Sequence, residues 1–140
     1  TVGSEIQKKL NIKDKKVESD DTNGFIFSPE TEDSTIKLID RISTNVAVGP
    51  DGINAKILKD GKDITAPVLT KIINLGYETN TFPDALKVAM VKPIHKKDCP
   101  NNPANYRPIS ILSLMSKVFE RSAVDQLVGF FEANNILSAC

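Results

Sequence analysis

The chain has 140 residues, 40 % hydrophobic and 26 % charged, and its 18 basic and 18 acidic side chains cancel. That is the size and composition of one ordinary globular domain, with apolar runs far short of a membrane span. The neutral total hides a division: residues 85–121 hold seven Lys/Arg against two Asp/Glu, whereas residues 1–84 hold 11 against 14.

Residues 1–24 are polar, and KDKKVESDDTNG has little to bury, which predicts a linker or a disordered tail. The missing initiator Met reads as a fragment or trimmed chain, and no signal-peptide pattern is present. Phe25-Ile26-Phe27 is then a short strand or an apolar clip that docks on the core, ended by Ser28-Pro29. A helix over about 33–44 follows, capped by Asp33 or Ser34, with Ile36, Leu38, Ile39 and Ile42 as its apolar stripe. Gly49-Pro50-Asp51-Gly52 is a turn. Asn54 caps a short helix, Ala55 to Asp60, that Gly61 stops.

Thr65-Ala66-Pro67 predicts the start of a stronger helix, Thr as cap and Pro in the first turn. Val68, Leu69, Ile72, Ile73, Leu75 and Tyr77 predict that it is fully engaged in the core as far as Asn80. Two apolar runs, Leu86–Ile94 and Ile109–Leu114, flank a polar basic loop and predict a β-hairpin carrying Lys92, His95, Lys96, Lys97 and Arg107. A last helix spans about Leu114–Ala133, with an apolar stripe typical of core packing, and stops at Asn134-Asn135. The expected class is α+β, rich in helices, with a basic two-stranded hairpin and a long C-terminal helix.

Several chemistries are missing. There is no Gly-rich phosphate loop and no GxSxG motif, and the single His95 has no triad partner. Cys99 and Cys140 are the only cysteines, without zinc-ligand spacing, and no Asn-X-Ser/Thr sequon occurs, which fits a reducing interior. Asp20-Asp21 is the one adjacent aspartate pair and falls in the polar tail, where a metal site would lack rigid support. What remains is cationic recognition. Arg107, held between Tyr106 and Pro108, suits a bidentate grip on phosphate, and Lys96 and Lys97 add point charges on the other arm. On charge alone the simpler reading is a solvated, lysine-guarded edge strand.

Three stretches carry a more specific signal: GPDGINAKILK (49–59), TFPDALKVAMVKPIHKKD (81–98) and NYRPISILSLMSKVFER (105–121). In order and spacing they resemble the start of the reverse transcriptase domain of LINE-type, non-LTR retrotransposons. The resemblance covers about residues 25–138. It implies the fingers subdomain of a right-hand polymerase, with 25–84 as its helical N-terminal extension and 85–140 as the fingers hairpin and following helix of an incomplete domain. It implies that Arg107 holds the phosphates of the incoming nucleotide, helped by Lys96 or Lys97. Asp51, Gly52 and Ile53 match an early motif tied to template contact and packing. Asn105, Tyr106, Pro108 and Ser110 complete the second motif and are expected to shape the hairpin.

The implied partners are RNA template, primer DNA, dNTP and the palm and thumb of the same polymerase, in an intracellular setting, nucleus or cytoplasm. No membrane is implied. The family's catalytic aspartates come after the last residue of this chain. No cofactor is therefore expected in this stretch, although Mg2+ is implied for the complete polymerase, and the chain alone is expected not to extend a primer. The alternatives are a non-catalytic fragment that binds RNA or single strands, and a functionless remnant of a decayed element.

Overall fold

The computed structural model describes residues 24–136. The polar tail, with Asp20-Asp21, and Cys140 lie outside them. Four α-helices and one antiparallel hairpin make up the described part: α1 (Glu32–Asp40), α2 (Ala55–Asp60), α3 (Lys62–Thr79), β1 (Ala89–His95), β2 (Tyr106–Leu112) and α4 (Leu114–Ala133). Single 3-10 turns precede each strand, at Asp84–Leu86 and Pro103–Asn105. The α+β class and the long final helix match expectation.

α1 is the centre of the helical body and packs against α3 and α4. Its cap is Thr31, not Asp33 or Ser34. Thr31 Oγ1 accepts from Ser34 N at 3.1 Å, and Thr31 N donates back to Ser34 Oγ at 3.0 Å. This reciprocal box satisfies donors that helix geometry leaves free, and is worth about 1 kcal/mol. The helix also stops at Asp40, short of 44, and Arg41 becomes its C-cap. Ser43, Thr44 and Asn45 follow, and Asn45 N already bonds Ser43 Oγ, the local side-chain pairing that competes with helix.

α2 has the predicted bounds, with Asn54 Oδ1 accepting from Ile57 N at 2.8 Å. α3 begins three residues before the predicted cap. Gly61 closes α2 and opens α3 at once, its carbonyl accepting from Ile64 N and Thr65 N. Thr65 is therefore already inside the helix and bonds back to the Gly61 carbonyl, and Pro67 sits in the second turn. Nor is α3 fully engaged in the core. Ala66, Leu69, Thr70, Ile73 and Gly76 are buried, whereas Val68 and Leu75 are each 59 % exposed. The helix carries more apolar positions than the face covered by its neighbours can hold.

The core is Leu38, Ile39, Leu58, Leu69, Ile73, Leu114, Val118 and Phe119, with smaller Ala55 and Ala66 between helices. A buried hydroxyl pair, Thr35 Oγ1 and Thr70 Oγ1 at 2.7 Å, joins α1 to α3, and each hydroxyl also donates or shares with a carbonyl one turn back. Among the described residues no buried side-chain polar atom lacks a partner.

The Phe25-Phe27 segment is the apolar clip, not a strand. Phe27 stacks on Tyr77 with ring centroids 4.2 Å apart, and Tyr77 meets Phe119 edge-on at 5.6 Å. Two amides then grip the backbone beyond it. Asn74 accepts from Glu30 N (2.7 Å) and donates to Glu30 O (3.0 Å), and Gln126 does the same for Ser28 (2.8 and 3.0 Å). These side chains replace the missing strand partner with the same donor–acceptor pattern.

Candidate nucleic-acid interface

The hairpin stands away from the helices. Its strands pair Ala89 with Leu112 through His95 with Tyr106, and every residue from Met90 to His95 is exposed. Only the base is buried, where Ile111 is 8 % exposed. Apolar side chains on both faces therefore meet solvent, among them Val91 (58 %) and Ile94 (50 %).

Register decides which cations share a face, because side chains alternate and directly opposed residues point the same way. Ile94 faces Arg107 and Lys92 faces Ile109. The bond from Lys96 N to Asn105 O (2.8 Å) carries the same register one step further. Arg107 is thus the diagonal neighbour of both Lys92 and Lys96, about 7–8 Å from each across the ladder. The three cations surround Ile94 on one face. Lys97 lies past the paired residues, in the bend that opens the tip loop, and no strand pairing relates it to Arg107.

Lys92 is the residue that sequence reasoning left out of the candidate site. It was visible as one of the basic residues, but only the pairing shows that it joins Arg107. Like charges this close repel, and no carboxylate compensates them: the three ion pairs among the described residues are Arg41–Asp125, Lys62–Asp40 and Lys87–Asp84. An uncompensated cationic cluster on a solvated surface is a place for a polyanion.

Tyr106 belongs to the other face and to the tip. Its ring lies 5.2 Å from that of His95, and its hydroxyl donates to Pro100 O at 2.9 Å. Asn105 Nδ2 bonds Cys99 O (2.9 Å), His95 Nε2 lies 3.1 Å from Asp98 O, and Asn102 Oδ1 accepts from Ala104 N (3.0 Å). The connecting loop is tied to itself at four points, so the strand ends that carry Lys96 and Arg107 are held in register.

Asp51, Gly52 and Ile53 sit at the opposite end. Gly52 N bonds Gly49 O (3.2 Å), closing a turn with Pro50 and Asp51 at its centre, and Gly52 then takes φ +74°. The Asp51 carboxylate accepts from Ile53 N at 3.2 Å, and Ile53 packs on the core. The turn is clamped to the root of the hairpin: a Cβ on Gly49 would lie 2.7 Å from Ser113 Cα and 2.8 Å from Leu112 O. Arg107 is five residues up the strand from Leu112, about 17 Å at the usual rise. The structure therefore does not bring Asp51 and Arg107 into one contact site.

Among the described residues no group of three or more His, Cys, Asp or Glu is close enough to hold a metal ion, and the cationic face offers no carboxylate, so the described residues do not form a site for the Mg2+ that the resemblance implies for the complete polymerase. No described helix is long and apolar enough to cross a membrane.

No protein-family model matches the chain. Over 101 residues, 71 % of its length, the chain is 37 % identical to a Drosophila melanogaster protein described as "Probable RNA-directed DNA polymerase from transposon X-element". Over 70 residues, 49 % of its length, it is 37 % identical to the "Probable RNA-directed DNA polymerase from transposon BS" of the same organism. The chain spans about a tenth of these relatives, 11 % and 8 %. It is a homologue of part of such transposon-encoded proteins, as the motif resemblance implied.

Proposed function

We propose, from this homology, that the chain is the fingers portion of an RNA-directed DNA polymerase of a non-LTR retrotransposon and that its hairpin face receives the phosphates of the incoming dNTP. The observation that carries the reading is the cluster of Arg107, Lys92 and Lys96 on one face of the ribbon. A triphosphate presents several charged oxygens over a distance comparable to the spacing of these cations. The planar guanidinium can take two of them at once, while the lysines act as adjustable point charges.

In the complete polymerase a primer 3′-OH attacks the α-phosphate and pyrophosphate leaves. Metal and general-base steps belong to residues outside this stretch. Arg107, Lys92 and Lys96 orient the triphosphate and offset its charge, and fixed positive groups aimed at developing negative charge favour the reaction without reorganising. The turn at Asp51 to Ile53 braces the hairpin root and borders the path of the template.

The test is a titration of the 140-residue chain with a dNTP, followed by calorimetry. Arg107→Ala should weaken binding about 10- to 100-fold, the equivalent of about 1.5–3 kcal/mol for a charged hydrogen-bonded contact. Lys96→Ala and Lys92→Ala should weaken it less, and Lys97→Ala should leave it unchanged. Equal losses for Lys96→Ala and Lys97→Ala, or unaltered binding by Arg107→Ala, would overturn the assignment.

A further inference from the structure

Between the loop that follows α1 and the first half of α4 lies an open cleft of about 300 Å3, distinct from the hairpin face. Half-buried Ile42 and Val46 are its accessible apolar lining, above the buried Val118, and Arg41, Lys117 and Arg121 supply its charge. That volume is at the small end of ligand sites, about that of one nucleotide unit.

The charges here are arranged at a cost. Lys117 and Arg121 are one turn apart on α4, where like charges destabilise a helix. The acids beside them do not compensate. Glu120 accepts from Ser116 Oγ (3.3 Å), and Asp125 is taken by Arg41 from across the cleft. Lys117 is half-buried and Arg121 exposed, and neither is in an ion pair among the described residues. Two uncompensated cations therefore border an apolar trough whose third cation, Arg41, is already neutralised and held in place. An apolar trough with cations on its rim fits a unit that is apolar and flat at one end and anionic at the other.

We propose that this cleft takes a phosphodiester unit of a single-stranded RNA, with Lys117 and Arg121 as its phosphate contacts and the base or sugar against the apolar lining. This rests on the reading above that the chain handles an RNA template, and adds a second contact point outside the nucleotide-binding face. The contact carries no sequence information, because phosphates look alike on every base.

The test uses the 140-residue chain and a labelled oligo-uridylate, with fluorescence anisotropy at about 50 and about 150 mM salt. Each phosphate neutralised on a single strand contributes about −0.7 to the slope of log affinity against log salt. Lys117→Gln with Arg121→Gln should reduce the slope by about 1.4, the value for two phosphates. The exchange Lys117→Arg with Arg121→Lys should restore it, and circular dichroism should be unchanged in both. The same loss should appear in a chain whose hairpin cations are replaced. An unchanged slope in the glutamine variant overturns the cleft even if Arg107→Ala abolishes dNTP binding, which leaves the hairpin reading intact. Loss of slope in the glutamine variant with no effect of Arg107→Ala supports the cleft and removes the hairpin assignment. Failure of the unaltered chain to bind RNA, or equal competition by poly-glutamate, overturns the RNA assignment.

Discussion

Gly49→Ala should loosen the joint between the hairpin and the helical body. Gly49 does not have a left-handed φ, and the residue before a proline is held in the extended region that alanine also prefers. Alanine there even lowers the entropy of the unfolded chain, worth about 0.4–1 kcal/mol in favour of folding. Against this stands the new methyl group, 2.7 Å from Ser113 Cα, 2.8 Å from Leu112 O and 2.9 Å from Ser113 N. All three are backbone atoms and cannot rotate away. Overpacking of this kind costs about 1–3 kcal/mol. The forced shift also strains Ser113, whose hydroxyl caps α4 by accepting from Ser116 N at 3.1 Å, a contact worth about 1 kcal/mol. The net loss is about 2 kcal/mol, or a fall in Tm of about 5–10 °C for a chain of this size. Thermal unfolding followed by circular dichroism measures it. Gly52→Ala is the control: its φ of +74° makes alanine cost about 1–2 kcal/mol, but nothing lies within 4 Å of the added methyl. Hydrogen exchange should therefore quicken along β2 in the Gly49 variant and stay unchanged there in the Gly52 variant. A Tm for Gly49→Ala at or above that of the parent chain would refute the reasoning.

Two further outcomes follow from the clip and its neighbours. Asn74→Ala removes both bonds to the Glu30 backbone and should cost about 1–3 kcal/mol, with faster hydrogen exchange at Glu30 N–H; unchanged protection there would show that the amide clamp does not hold the segment. Burial raises the Tyr77 pKa above 10.0, the nearby Glu30 charge adds to this, and the Ser122 hydrogen bond opposes it. A raised folded-state pKa means that the neutral phenol is favoured by folding, so its contribution is complete below pH about 10 and is lost as pH rises through the higher folded value. Urea titrations across that range should show an alkaline loss of stability that is smaller in Tyr77→Phe; an equal loss in both chains would place its cause elsewhere.

How far the sequence could be read depended on whether the deciding interaction was local. Asn54 and Gly61 bound α2 as predicted, and α4 has its predicted limits, because caps and stops act over one turn. The same rule misled at α3. Thr65 looks like a cap, yet Gly61 serves both helices, and a glycine carries no side-chain signal that it opens a second one. The apolar count of α3 was legible, but whether Val68 and Leu75 would find a partner was not, since periodicity records the stripe and not what covers it. At the site, the motif pointed to Arg107. Choosing Lys96 over Lys97, and adding Lys92, required the strand pairing, because a shift of one residue moves every side chain to the other face. The α4 cleft required the loop after α1 and the first half of α4 to border one trough, a tertiary arrangement with no local trace in the sequence.

The paired prolines set which surfaces of this hairpin are open to a ligand. Pro93 lies directly opposite Pro108. In an antiparallel ladder, opposed pairs alternate between bonded and non-bonded, and the bond at Lys96–Asn105 sets the phase. The two prolines fall on a non-bonded pair, where an ordinary residue would turn its N–H outward. They therefore cost the ladder no bond, and they remove a donor from each outer edge at the same height. A third strand, or a second copy of the ribbon, meets a gap there on either side. Their fixed φ also stiffens both strands next to Lys92, Ile94 and Arg107. A free two-stranded ribbon is marginal in water. This one is clamped at the root by Gly49 and Ile111 and knotted at the tip by Tyr106 and Asn105, and is stiffened between them by the prolines. The middle of the ribbon can then keep a cationic, half-apolar face bare to solvent without offering its edges, an arrangement that favours a phosphate-bearing ligand on the face over a peptide strand at the side.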